Sequence, residues 1–216
     1  MTLPSRLYAI VDPLDTGRDP LDLARAMLAG GARLLQLRLK ATATGVLLAT
    51  AERMRELTAA AGATFIVNDR ADVARACGAD GVHLGQDDLP IEAARTVLGP
   101  GPIVGFSTHS ETQLAAARAR GADYLAFGPI YATTSKSNAD PVLGCERVRA
   151  ARALTAGPLV AIGGITAATA PAVLAAGADA VAIIGALVRA PDVERATAEI
   201  LAIVEQSTTT GSASGS

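Results

Sequence analysis

Residues 159–185 open with Leu159-Val160-Ala161-Ile162-Gly163-Gly164 and pass through an Ala-rich stretch to Gly177-Ala178-Asp179. They end Ala180-Val181-Ala182-Ile183-Ile184-Gly185. Two short apolar runs thus flank a segment of helical spacing near 167–176. Nearly continuous apolar runs of this length read as strands of a parallel sheet covered on both faces. Gly177 stands where the helix must stop, because glycine tolerates the left-handed conformation of a helix C-cap.

The same grammar extends over the chain. Candidate strands are 7–12, 34–40, 64–69, 81–85, 103–107, 124–130, 159–164 and 180–185. Candidate helices lie near 19–30, 44–61, 70–77, 90–98, 110–120, 145–155, 167–176 and 191–206. Gly-Ala-Asp or a near copy precedes every second strand: Gly31-Ala32-Arg33, Gly78-Ala79-Asp80, Gly121-Ala122-Asp123 and Gly177-Ala178-Asp179. Spacings of 47, 43 and 56 residues mark two βα units per period. Eight such units predict a single α/β domain over 1–206, a compact (β/α)8 TIM barrel. The rival, a doubly wound open sheet, would carry a Gly-rich dinucleotide loop after its first strand. Asp12, Pro13 and Leu14 stand there instead. The polar tail at 207–216 reads as a disordered extension without assigned function.

Composition narrows the function. Half of the 216 residues are hydrophobic and 3% are aromatic, with no tryptophan. The core must be aliphatic, and stacking platforms for single-stranded nucleic acid are excluded. A net charge of −2 leaves no basic field for nucleic acid or an anionic membrane. No apolar run approaches the roughly 18 residues of a membrane span, and no signal pattern opens the chain, so a cytoplasmic protein is expected. Cys77 and Cys145 make neither a disulfide framework nor a zinc cluster. Nothing in the sequence sets the oligomeric state; a homo-oligomer is compatible with it. Lys40 and Lys136 are the only lysines among 19 basic residues. A compact ammonium on a flexible stem suits phosphate, a task a planar guanidinium fills imperfectly.

Active sites of such barrels lie at the C-terminal strand ends. Alternation puts Gln36, Arg38 and Lys40 on one face and Leu37 and Leu39 on the other. Three polar side chains facing the barrel interior would be costly without a polar ligand; the plainer alternative is a salt-bridged layer closing the barrel. Asn68-Asp69-Arg70 and His83-Leu84-Gly85-Gln86-Asp87-Asp88 end neighbouring strands. Asp69 and one of Asp87 and Asp88 can therefore approach, an oxygen set suited to Mg2+. Helix capping by Asp69, Asp87 or Asp88 is the alternative. Ser107 suits ligand donation better than covalent chemistry, since no nucleophile elbow is present, and Ser110 suits helix capping. His83 and His109, the only histidines, are read first as structural. The longest loop, from Gly128 to the helix near 145, carries Thr133, Thr134, Ser135 and Lys136, groups that suit an anion. Gly163-Gly164 and Ile184-Gly185 sit where barrels commonly build a phosphate site. Together these residues describe a monophosphate site beside a pyrophosphate site on one barrel mouth.

As a set, Gln36 to Lys40, Asn68-Asp69-Arg70, His83 to Asp88, Gly128 to Tyr131, Thr133 to Lys136 and Gly163 to Thr166 resemble the thiamine phosphate synthase family. The match runs from Leu7 to about Gln206. The resemblance implies a transferase that joins hydroxymethylpyrimidine pyrophosphate to a thiazole phosphate, releasing thiamine phosphate and pyrophosphate by a dissociative path. It implies that Gln36, Leu37, Arg38, Leu39 and Lys40 line the pyrimidine site, with Arg38 and Lys40 on the pyrophosphate. Asn68, Ser107 and Lys136 join that site, and Asp69 and Asp88 hold Mg2+. Thr133, Thr134, Ser135 and Gly164 take the thiazole phosphate, completed by the backbone at Ile184-Gly185. The catalytic charges are then Arg38, Lys40 and Lys136, and the partners are small phosphorylated molecules. Three positions depart from the family: Ser135 is often Thr, Gly185 is often Ser, and Ala41 stands where an acidic residue is common. Two rivals remain. A thiazole tautomerase barrel would need an acid–base group such as His109 and no Mg2+–pyrophosphate cluster. A non-catalytic barrel binding phosphorylated thiamine precursors would need no metal carboxylates.

Overall fold

The computed structural model describes residues 2–13, 16–133 and 141–207. Eight parallel strands close on themselves: β1 (Leu7–Val11), β2 (Leu34–Leu37), β3 (Thr64–Asn68), β4 (Gly81–Leu84), β5 (Ile103–Thr108), β6 (Tyr124–Phe127), β7 (Leu159–Ile162) and β8 (Ala180–Ile183). β1 pairs with β2 at Ile10↔Gln36 and with β8 at Tyr8↔Ala182, which seals the barrel. Outside it lie α1 (Pro20–Ala29), α2 (Thr44–Ala60), α3 (Ala71–Cys77), α4 (Ile91–Leu98), α5 (Glu111–Ala119), α6 (Gly144–Leu154), α7 (Ala170–Ala175), α8 (Gly185–Val188) and α9 (Val193–Gln206). The predicted (β/α)8 barrel is the observed fold.

Side-chain alternation divides the core in two. Tyr8, Ile10, Leu34, Ile66, Tyr124, Ala126, Val160, Ala180 and Ala182 fill the barrel interior. Their neighbours one position along, such as Leu7, Leu35, Val67, Leu125 and Val181, pack outward against the helices. Period-two alternation places these two sets on opposite sheet faces.

The Gly-Ala-Asp echo marks a repeated joint at the N-terminal end of the barrel. Gly78 is the left-handed C-cap of α3, and Gly31, Gly121 and Gly177 also have positive φ. The Asp does more than start a strand. Asp80, Asp123 and Asp179 each accept the backbone N–H of the preceding strand, from Phe65, Val104 and Leu159. Each also pairs with an arginine, Arg55, Arg95 and Arg152 respectively. One carboxylate thereby ties two strands to the helix between or beside them. In the first copy Arg33 replaces Asp, and that tie is missing.

Several boundaries differ from expectation, with β7 and β8 ending at Ile162 and Ile183, two residues early. β2 ends at Leu37 rather than Lys40 and β6 at Phe127 rather than Ile130. Pro129 brings no N–H to continue a ladder, and Lys40 carries a charge that belongs outside the barrel wall. α7 begins at Ala170, later than 167, because Thr169 Oγ1 accepts the N–H of Thr166 and holds that segment in a turn. α8 was not anticipated: four residues are too few to show a period. Ser207 is the C-cap of α9; the rest of the predicted tail lies outside the described residues.

Candidate active site

Inward parity carries a polar layer up from the core. On β1 the inward series Tyr8, Ile10 continues to Asp12, and on β2 Leu34, Gln36 continues to Arg38. The Arg38 guanidinium pairs with the Asp12 carboxylate, with side chains only 12% and 10% exposed. Arg38 N also donates to Val11 O at 2.9 Å, which extends the β1–β2 pairing to the mouth. Below this pair Gln36, 2% exposed, donates its amide N–H to Tyr8 Oη at 2.7 Å.

Polar contact continues across the interior. Tyr8 Oη lies 2.9 Å from Tyr124 Oη, Tyr124 Oη lies 2.9 Å from His83 Nδ1, and His83 Nε2 lies 2.8 Å from Ser107 Oγ. The Tyr124 ring stacks on His83 at 17° between planes. Gly105 makes room for it: a Cβ there would lie 2.0 Å from the Tyr124 ring. Burial pushes the phenols of Tyr8 and Tyr124 well above the usual tyrosine range. Gln86 Nε2 donates to Ser107 O at 2.5 Å and ties the β4 loop to the end of β5.

Next around the mouth stand Lys40, Asp69 and Asp88. Lys40 Nζ is 2.9 Å from Asp69 Oδ2, and the lysine side chain is 57% exposed. Asp69 follows β3 with φ +63°, a left-handed conformation uncommon outside glycine, asparagine and aspartate. Its N–H donates to His83 O at 2.8 Å, which fixes it against β4. Asp88 Oδ2 accepts the Gly85 N–H at 2.7 Å and closes the turn after β4. Burial first, and the hydrogen-bonded Asp69 carboxyl second, push the Asp88 carboxyl up to about 6. Neither acid caps a helix: the N-cap positions of α3 and α4 are Arg70 and Pro90, and neither helix has a side-chain cap. The capping alternatives therefore fall away.

Among the described residues, backbone shapes the rest of the mouth. Ile130 N and Tyr131 N donate to Ile162 O and Gly163 O, so the segment after β6 lies across the end of β7. Gly163 and Gly164 permit that crossing. Their φ values are +99° and +63°, and a Cβ on Gly164 would lie 2.4 Å from Ala132 O. After β8, Ile184 is the N-cap of α8, and no side chain caps its first amides.

The structure brings Gln36, Arg38, Lys40, Asn68, Asp69, Asp88 and Ser107 to the C-terminal side of β2 to β5. Lys40 lies beyond β2 and is exposed, so it does not extend the interior face as alternation predicts. Leu37 and Leu39 turn their side chains into the layer between sheet and helices. Thr133, Gly164, Ile184 and Gly185 lie beyond β6, β7 and β8. Thr134, Ser135 and Lys136 lie outside the described residues. His109 Nδ1 lies 2.6 Å from Gly128 O, and Ser110 caps α5 as predicted. Sequence reasoning missed Asp12 as the partner of Arg38, and Tyr8 and Tyr124 as the link between Gln36 and His83. The parity of Tyr8, Ile10 and Asp12 was the available signal.

Comparison with known proteins gives a consistent result. A family model described as thiamine monophosphate synthase matches residues 7–187. The chain is 50% identical over 191 residues to a thiamine-phosphate synthase of Methanoculleus marisnigri, covering 88% of this chain and 90% of that one. It is 46% identical over 199 residues to that of Moorella thermoacetica, covering 92% and 95%. Among solved structures, a thiamine phosphate pyrophosphorylase from Pyrococcus furiosus superposes with a TM-score of 0.86 at 38% identity, covering 94% and 96%.

Proposed function

Because the chain belongs to the thiamine monophosphate synthase family, we propose that it is the transferase that joins hydroxymethylpyrimidine pyrophosphate to a thiazole phosphate. Thiamine phosphate and pyrophosphate are the products. The observation that carries this reading is the ring of charge at the mouth, Asp12–Arg38 beside Lys40–Asp69–Asp88, in a chain with named relatives at half identity.

The donor set fits a divalent cation. Asp69 and Asp88 place two carboxylates in contact, and oxygen-only donors few in number suit Mg2+, whose sphere water and phosphate complete. Asp69 and Asp88 would hold it, and it would neutralise charge on a leaving pyrophosphate. The chain's own residues do the rest. Arg38, oriented by Asp12, and the exposed Lys40 present fixed positive charge to the pyrophosphate, joined by Lys136. Preorganised charge aimed at a developing anion lowers the barrier without reorganisation. Gln36, Asn68 and Ser107 hold the pyrimidine. Thr133, Thr134, Ser135, Gly164 and the amides at Ile184-Gly185 hold the thiazole phosphate, so that its ring nitrogen meets the pyrimidine methylene. No general base is required, in keeping with His83 and His109 both being engaged in structural hydrogen bonds.

No helix among the described residues is long and apolar enough to cross a membrane, in keeping with a cytoplasmic enzyme of small metabolites. The test is formation of thiamine phosphate from both phosphorylated substrates, with Mg2+ and then with excess chelator. Product that vanishes on chelation is expected. No product from folded protein in either tube overturns the reading.

A further inference from the structure

Five side chains from five strands form one hydrogen-bonded line through the barrel interior: Gln36, Tyr8, Tyr124, His83 and Ser107. We propose that Tyr124 and His83 are positioning residues, which fix the direction of this line so that Ser107 offers its hydroxyl hydrogen to an acceptor on the pyrimidine substrate.

The direction follows from counting hydrogens. An amide NH2 can only donate, so Tyr8 Oη accepts from Gln36. Tyr8 then has one hydrogen of its own, and Tyr124 Oη is the acceptor beside it at 2.9 Å. Both tyrosines are 1% exposed. If Tyr124 donated to Tyr8 instead, the Tyr8 hydrogen would be stranded in the dry interior, a cost that buried polar groups avoid. With Tyr8 donating, the Tyr124 hydrogen goes to His83 Nδ1. The imidazole proton then sits on Nε2 and donates to Ser107 Oγ at 2.8 Å. Ser107 accepts inside the line, and its own hydrogen turns out of it. Burial keeps both phenols protonated, as this requires. Gly105 is part of the device, since only a missing Cβ lets the Tyr124 ring lie against His83.

This inference rests on the proposed pyrimidine site only for the identity of the acceptor. The proton positions are a property of the unliganded chain. The first experiment is a long-range 1H–15N correlation of the 15N-labelled wild-type protein at neutral pH, with His109 assigned from the H109Q spectrum. His83 is expected as the neutral Nε2–H tautomer, with Nδ1 at the shift of an unprotonated acceptor. A proton on Nδ1, or on both nitrogens, overturns the proposal whatever the enzyme activity proves to be.

The second experiment is Tyr124→Phe, which keeps the ring and removes the hydroxyl. The His83 tautomer is expected to become mixed. KM for the pyrimidine pyrophosphate should rise on the order of tenfold, the loss of about one oriented hydrogen bond, with KM for the thiazole phosphate unchanged. An unchanged pyrimidine KM overturns the positioning role even if the tautomer shifts. Should the variant not fold, the wild-type spectrum still decides.

Discussion

Arg38 and Asp12 face each other across the β1–β2 boundary at the barrel mouth, paired side chain to side chain and almost withdrawn from solvent. The pair explains how a guanidinium can be held nearly out of solvent in a largely apolar barrel. Removing one partner leaves the other charge desolvated and uncompensated.

Asp12→Ala should therefore lower folding stability by on the order of 3 kcal/mol, as breaking a buried pair does, and should also raise KM for the pyrophosphate substrate. Urea unfolding of wild type and variant checks the first part. An unchanged midpoint at equal slope would show that Arg38 finds other compensation.

A cation proposed to act on the leaving group and a carboxylate proposed to hold the metal are open to direct test. Lys136→Ala and Asp69→Asn should each reduce turnover by on the order of 10², the usual loss for one preorganised electrostatic contact. Asn tolerates the left-handed conformation of position 69, so the second variant removes charge without straining the backbone. Steady-state kinetics with saturating substrates measure both. Near-normal turnover in Lys136→Ala would remove that lysine from the mechanism.

Ala41 follows Lys40 with φ +56°, and an alanine Cβ is strained there. Ala41→Gly should stabilise the protein by about 0.5–1 kcal/mol, relief of left-handed strain less the added freedom of the unfolded chain. A lower thermal midpoint would contradict this.

The tyrosines provide a pH prediction with no tryptophan to obscure it. All three, Tyr8, Tyr124 and Tyr131, have phenols raised above the ordinary value, the first two chiefly by burial and Tyr131 chiefly by its hydrogen bond with Cys145. A raised folded-state value favours the protonated form in the native state. Their contribution is fully present below the unfolded value of about 10 and is lost as pH rises toward the folded values. Stability should fall above about pH 10. Tyrosinate absorbance should then appear together with loss of helical circular dichroism. Free titration of three phenols in a still-folded chain would refute it.

Much of this was readable in advance because strand alternation is local. The parity that sends Leu34 inward also sends Gln36 and Arg38 inward, and the C-terminal ends of barrel strands are where such folds build their sites. The reading overreached where the strand stopped: alternation carried to Lys40 assumes a ladder that ends at Leu37. Nor did it foresee that the segment after β6 crosses directly over Gly163 and Gly164.

The barrel, its eight strands and the end that gathers the polar residues were set by short-range pattern: apolar runs, helix stops at glycine, and polar residues clustered after the same end of the strands. Contacts between those residues were not. Tyr8 and Tyr124 are separated by 116 positions and His83 and Tyr124 by 41. They meet because closing the sheet turns one face of every strand toward a common interior. Closure is a property of the whole ring, so which inward side chains touch, and which way their hydrogens point, emerges only when all eight strands are in place.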